Sequence, residues 1–269
     1  MSDLVLPKIG LGTMGGRGKK AIEAYSEAIK MGFRFVDTAR IYFNEKTVGA
    51  AIKKSGVPRE EIILASKVFI WNFSYKGVRK STKKSLKKLG LTKVDIMYIH
   101  WPFKTYKKRK EEVLKAFSEL IDEGKIGYLG ISNFTTNDID EAIAKYDKQI
   151  VVNQVEMHPW LQQKALLDNL NNNNIKLVSY FPLMHGRINE VPELKEIAEK
   201  HKASPAQISL AWIMSKGAIP IPKSTTLNHL KDNFESQNIQ LDEDDIKKID
   251  EIKVVKRFAD FPIIAPDWD

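Results

Sequence analysis

Between Ile126 and Tyr180 the chain reads IGYLGISNFTTNDIDEAIAKYDKQIVVNQVEMHPWLQQKALLDNLNNNNIKLVSY. Three β-rich runs, 126–132, 150–156 and 176–181, are separated by amphipathic helical patterns at about 135–146 and 162–172. The runs are almost wholly apolar, as expected for strands covered on both faces in a parallel sheet. The same alternation continues outward. Upstream lie expected strands 9–13, 33–38, 62–67 and 95–101 and helices 19–31, 45–54, 75–89 and 111–123. Downstream lie helix 191–216, broken near Ser204-Pro205, strand 218–223 and helix 226–234. Eight strand-helix units with no Gly/Ser-rich linker predict one α/β domain over 1–269, a closed (β/α)8 TIM barrel. The alternative is an open doubly wound sheet, for which Gly10, Gly12 and Gly15 supply a G-x-G-x-x-G. There Asp37 ends the second strand among other polar groups, not in the usual way of a dinucleotide site, so the barrel is preferred.

With 269 residues, 43% hydrophobic and 29% charged, the chain falls outside the disordered and fibrous classes. The absence of cysteine excludes a disulfide framework, a thiolate metal site and a cysteine nucleophile, and fits a reducing cytoplasm. There is no apolar run of ~18 residues, and the start MSDLVLPKIG lacks the form of a signal peptide. A cytoplasmic protein with no membrane partner is expected. The formal charge of +9 raises a nucleic-acid role, but the lysines are interspersed with acidic residues. The densest basic run, 76–88, carries Val78 and Leu86, with Leu89 just beyond, on one helical side. It reads as a solvated helix face, and no nucleic-acid partner is expected. A basic surface would still attract a phosphorylated cofactor, an effect that salt screens.

In a barrel, the C-terminal strand ends converge on one mouth. Here they carry Asp37, Lys67, His100, Ser132-Asn133, Gln154, Tyr180 and Lys223-Ser224. Any one of them could be structural; Ser132-Asn133, for instance, could cap the helix starting at Thr135. Seven polar ends on one rim point instead to an active site. Asp37, Tyr42, Lys67 and His100 form a coherent set. A tyrosine with an ordinary pKa of about 10 is expected to be eased downward by a neighbouring ammonium that Asp37 holds in place. It could then protonate a carbonyl oxygen that His100 orients. The set holds neither metal nor electrophile, so its reductant must come from a cofactor.

These residues lie in a run of stretches that resembles the aldo-keto reductase family along nearly the whole chain. The stretches are GLGTM (10–14), FRFVDTARIYFNE (33–45), LASKV (64–68), VDIMYIHWP (94–102), GKIGYLGISNF (124–134), VVNQVEMHPWLQ (151–162), SYFPL (179–183), IPKS (221–224) and IIAPDWD (263–269). The resemblance implies a (β/α)8 enzyme that reduces aldehydes or ketones with a nicotinamide dinucleotide, its catalytic tetrad being Asp37, Tyr42, Lys67 and His100. It implies that Ser132, Asn133 and Gln154 hold the nicotinamide carboxamide and that Tyr180 stacks on the ring, with Thr13, Pro182 and Leu183 alongside. Lys223, Ser224 and Thr225 would meet the adenosine 2′-phosphate, while Asp232 and Asn233 would face the adenine. NADPH is the expected cofactor, with NADH as the alternative. The substrate, a small carbonyl compound, would lie among Met14, Phe43, Trp71, Trp101 and the tail from Phe261 to Trp268.

The chain departs from the family pattern at four places. Met14 replaces a frequent tryptophan, and His229 replaces the usual arginine of the phosphate region, so a modest NADPH preference is expected. The segment before Ile9 is short for the family's hairpin that plugs the barrel. MHGRINEVPEL (184–194) is short for a loop folded over the cofactor. No metal is expected, because Glu156 and His158 lack a second histidine at ligand spacing. His201 reads as a residue at a helix C-terminus, and the assembly as a monomer or weak homo-oligomer. A non-catalytic, nicotinamide-binding redox regulator is the competing reading; the complete tetrad favours the enzyme.

Overall fold

The computed structural model describes residues 4–269; residues 1–3, where the reading of the N-terminal leader begins, lie outside the described residues. Eight strands pair in chain order, all parallel. They are β1 Leu11–Gly12, β2 Phe35–Asp37, β3 Ile63–Val68, β4 Val94–Ile99, β5 Ile126–Ser132, β6 Ile150–Glu156, β7 Lys176–Tyr180 and β8 Ile219–Pro220. The sheet closes where the Gly10 amide donates to the Pro220 carbonyl at 2.9 Å and the Gly12 amide to the Pro222 carbonyl at 3.0 Å. The result is the expected barrel. β8 is much shorter than the expected 218–223, because Pro220 and Pro222 have no N–H and offer the seam only carbonyls. Closure also requires glycine at position 12, where a Cβ would lie 2.5 Å from the Ile221 carbonyl oxygen.

Ten α-helices are present among the described residues: α1 Gly18–Met31, α2 Glu45–Ser55, α3 Tyr75–Leu89, α4 Lys104–Asp122, α5 Thr136–Lys145, α6 Lys164–Asn172, α7 Pro192–His201, α8 Pro205–Ser215, α9 Leu227–Glu235 and α10 Glu243–Asp250. The break at Ser204-Pro205 is real. Ser204 and Gln207 form a capping box, and Pro205 occupies the first turn, where its missing N–H costs nothing. α4 begins well before residue 111, and its backbone departs from helical geometry at Arg109, in a basic stretch without apolar periodicity. α10 lies outside the alternation read from the sequence, although its Asp242/Asp245 capping box was there to be read. In α3, Val78, Ser81, Thr82, Ser85, Leu86 and Leu89 are buried, which leaves the lysines on the solvent face as expected.

Apolar residues fill two layers. One lies between sheet and helices and includes Met97, Ile99, Ile131 and Val155. The other fills the barrel with Phe35, Ala65, Ile96, Tyr98, Val152, Val178 and Ile219. Each fully buried aliphatic side chain contributes about 1.5–3 kcal/mol. Leu4 and Leu6 pack onto the inner layer, and residues 4–10 contain no strand, so two leucines take the place of a plugging hairpin among the described residues.

Candidate active site

β2 ends in Asp37, the 3₁₀ turn Arg40–Tyr42 follows at once, β3 supplies Lys67, and His100 directly follows β4. The barrel mouth brings all four together. Lys67 Nζ donates to Asp37 Oδ1 at 2.5 Å and to the Thr38 carbonyl at 2.9 Å, with both side chains of the ion pair buried. Gln154 Nε2 donates to the other carboxylate oxygen, Asp37 Oδ2, at 2.8 Å. The Lys67 ammonium lies 5.2 Å from the Tyr42 ring centroid, and the His100 ring stands edge-on to Tyr42 at 6.1 Å. Asp37, Tyr42 and His100 line a cavity of about 960 Å³; Lys67 lies behind its wall.

The electrostatics differ from the expectation in one respect. Burial, with the Asp37 carboxylate and then Tyr180 adding to it, pushes the Tyr42 phenol well above its ordinary value. The expected lowering by Lys67 is absent, because its ammonium is committed to Asp37 and Thr38 and desolvation dominates. Tyr42 is therefore a fully protonated acid at neutral pH. Burial, reinforced by the Lys67 charge, pushes His100 well below the ordinary imidazole range, which keeps the ring neutral, and its Nδ1 meets no partner. Burial also lowers the pKa of Lys67, with Asp37 pulling it back up. Asp37 is raised by burial against the opposing pull of Lys67 and Gln154.

Beside the tetrad, Ser132, Asn133, Gln154 and Tyr180 interlock. Ser132 Oγ donates to the Gln154 carbonyl at 2.8 Å, and Asn133 Nδ2 donates to the His100 carbonyl at 3.0 Å and to Ser132 Oγ at 3.1 Å. The Tyr180 hydroxyl donates to Asn133 Oδ1 at 2.7 Å. Ser132-Asn133 is not a helix cap, since Thr135 and Asp138 cap α5. Thr13 reaches the cavity while its hydroxyl donates to the Asp37 carbonyl at 2.8 Å. Asn44, not singled out from the sequence although it stands in the run 33–45, ties the first two loops together. Its Nδ2 donates to the Thr13 carbonyl at 2.7 Å, and its Oδ1 accepts from Thr38 Oγ1 at 2.8 Å.

At the far end, Pro182, Leu183, Lys223, His229, Asp232 and Asn233 line the cavity, joined by Ser204 and Ala206. Ser224 and Thr225 do not. Ser224 Oγ is occupied in a local turn, accepting from the Thr226 amide at 3.0 Å. The short segment after Leu183 forms a wall through His185, Gly186, Ile188 and Asn189 instead of a long flap. The chain turns sharply around Leu183, with φ of 51° at Phe181, 52° at Met184 and 55° at His185.

On the opposite side Met14, Trp101 and Phe261 line the cavity as expected, and Ile41, Phe69, Ala259 and Ile264, which sequence reading passed over, complete the wall. Three expected wall residues stand elsewhere. Phe43, 65% exposed, is carried outward by its left-handed backbone (φ 55°) toward Arg17 and Lys88. Trp71, 75% exposed, stacks edge-on against Phe69 outside the cavity. Trp268 backs Trp101 at 6.2 Å without reaching the cavity itself. Glu156 and His158 form no metal site, and no cluster of three or more potential ligands exists among the described residues. The buried Glu156 carboxylate instead accepts from the Phe258 and Ala259 amides, both at 2.7 Å, and lies 2.8 Å from His158 Nε2, so it fastens the tail. His201 lies in the last turn of α7, as expected, with Nε2 2.6 Å from Asp245. No helix among the described residues is long and apolar enough to cross a membrane.

A closed parallel barrel with a polar-floored, apolar-walled cavity at the C-terminal strand ends defines a (β/α)8 enzyme. Residues 8–254 match the model of the aldo/keto reductase family; the chain belongs to that family and is an oxidoreductase. It is 38% identical over 267 residues to a methylglyoxal reductase DkgB of Escherichia coli O157:H7, covering 99% of this chain and 100% of that one. It is 38% identical over 258 residues to a glyoxal reductase of Bacillus subtilis, covering 96% and 92%. A crystal structure of a putative 2,5-diketo-D-gluconic acid reductase B superposes with a TM-score of 0.93 at 34% identity, covering 98% of this chain and 94% of that one.

Proposed function

We propose that this enzyme reduces small aldehydes and ketones with NADPH, acting in the cytoplasm. The observation that carries the reading is the buried Lys67–Asp37 pair with the Tyr42 and His100 rings gathered over it at the cavity floor. The donor set fits a nicotinamide dinucleotide. Ser132, Asn133 and Gln154 offer amide and hydroxyl groups matched to a carboxamide, Tyr180 offers a ring face, and Lys223 and His229 offer donors to a phosphate at the other end. Bound reduced nicotinamide supplies a hydride. The chain's own groups do the rest. His100, kept neutral, hydrogen-bonds the carbonyl oxygen and sets its angle. Tyr42 gives that oxygen its proton, so hydride and proton together convert the carbonyl to an alcohol. Lys67, anchored by Asp37, lies 5.2 Å from the centre of the Tyr42 ring and offsets the Asp37 carboxylate beside it, so the phenol gives up its proton next to a neutralised pair and not a bare carboxylate.

The apolar wall of Ile41, Phe69 and Trp101 and the names of the relatives point to small reactive aldehydes, dicarbonyls included. Aldehydes, keto acids and sugars assayed with NADPH and then NADH test substrate and cofactor together. In Tyr42→Phe, turnover is expected to fall at least about 10²–10⁴-fold, while the NADPH dissociation constant stays near wild type. Wild-type turnover in this variant would sink the mechanism.

A further inference from the structure

The period-two alternation of β4 places Ile96, Tyr98 and His100 on the barrel interior. Tyr98 is fully buried, and its hydroxyl meets no partner in hydrogen-bond geometry; burial, with the Asp37 carboxylate adding to it, pushes the phenol well above its ordinary value against an opposing pull from Gln154. A buried hydroxyl without a partner is costly, and phenylalanine or leucine would avoid that cost. The neighbouring strand makes room for the ring: a Cβ on Gly130 would lie 2.7 Å from two of its carbons. What the ring meets is Lys67, whose Nζ lies 5.3 Å from the Tyr98 centroid and 5.2 Å from that of Tyr42. Both distances are within the ~6 Å range over which an aromatic face attracts a cation.

We propose that Tyr98 is a positioning residue for the reduction: its ring and that of Tyr42 clamp the Lys67 ammonium and keep it charged and aimed at Asp37 and Thr38. The proposal rests on the reading of Tyr42 as acid and Lys67 as its support. The groups facing Lys67 are Asp37 from β2, Tyr42 from the 3₁₀ turn, and Tyr98 and His100 from β4 and its end, with Gln154 of β6 acting through Asp37. Desolvation favours the neutral amine; Asp37, the Thr38 carbonyl and the two ring faces oppose it, so removing one ring makes the ammonium easier to deprotonate. On raising pH, Lys67 gives up its proton before Tyr42 does, because burial holds the phenol's proton on and loosens the ammonium's.

The test is the pH dependence of kcat/KM for one small aldehyde at saturating NADPH, in wild type, Tyr98→Leu and Tyr98→Phe. NADPH affinity by fluorescence and the unfolding midpoint are measured alongside. Tyr98→Leu is expected to move the alkaline limb about one pH unit toward acid, equivalent to about 1.4 kcal/mol, with NADPH affinity unchanged. Tyr98→Phe, which keeps the ring, should restore the wild-type position of the limb. An unmoved limb in folded Tyr98→Leu, or an equal shift in Tyr98→Phe, overturns the proposal. Should the leucine variant not fold, Tyr98→Met, whose unbranched and flexible side chain adapts to the gap without a ring, is judged by the same criterion. Tyr42→Phe and Lys67→Met are run in parallel. If they retain turnover, the underlying reading fails; if they are inactive while the limb stays put, only the role of Tyr98 does.

Discussion

Asp37 and Lys67 form a buried ion pair at the cavity floor, and on the proposed reading it bears on both chemistry and stability. The two groups are desolvated together, and the attraction that offsets this is available only while both are present. Lys67→Met is therefore expected to abolish reduction and to destabilise the fold by about 3–5 kcal/mol, since it strands the Asp37 carboxylate beside Gln154. Adding Asp37→Asn should recover most of that stability and none of the activity. Urea unfolding of wild type, single and double variants, with turnover on the same samples, decides it; a double variant as unstable as the single would show that the pair is not responsible. That Asp37, Lys67 and His100 would meet at one mouth, with Tyr42 close behind Asp37, was legible in the sequence, because so many polar strand ends on a single rim are hard to explain as separate structural features. The direction in which Tyr42 titrates was not, since it depends on how completely the site is desolvated.

Among the elements, the C-terminal tail depends on its attachment to β6. Glu156 accepts two tail amides, and Ala259, Phe261 and Ile264 of the same segment wall the cavity. Glu156→Gln keeps the shape but replaces one acceptor with a donor, at a cost of about 1.5–3 kcal/mol for a hydrogen bond to a charged group. KM for the carbonyl substrate should rise roughly tenfold with a smaller change in kcat, and the tail should be cut faster in limited proteolysis; unchanged KM and cleavage would show that the tail holds itself. At the other end of the cavity, His229 lies in the first turn of α9, near Lys223. His229→Arg would add a permanently charged planar fork. NADPH binding should tighten on the order of tenfold while NADH binding stays near wild type. An unaltered NADPH dissociation constant would mean that position 229 does not meet the 2′-phosphate. The sequence marked both segments but misassigned Phe43, Trp71 and Trp268 to the wall, because which way an aromatic turns was decided by a left-handed φ at Phe43, by the stacking of Trp71 on Phe69 and by the seating of Trp268 behind Trp101.

At the scale of the whole molecule, the barrel is only as secure as its last seam, where β1 meets a proline-bearing β8 through two hydrogen bonds. Gly12→Ala would drive a methyl group against the Ile221 carbonyl, a backbone atom that cannot rotate away. Overpacking of this kind costs about 1–3 kcal/mol, which for a chain of this size lowers Tm by about 2–12 °C. An unchanged Tm would show that the seam can shift without loss. The sequence by itself determined the parallel barrel, the order of its units and the polar rim of the mouth, because period and strand-end chemistry are local properties that survive in any packing. Only the tertiary structure decided that Gln154 braces Asp37, that Glu156 fastens the tail and that Tyr98 faces Lys67. Those contacts join residues tens to more than a hundred positions apart, and they exist only once closure of the barrel has set every strand's register against its neighbours.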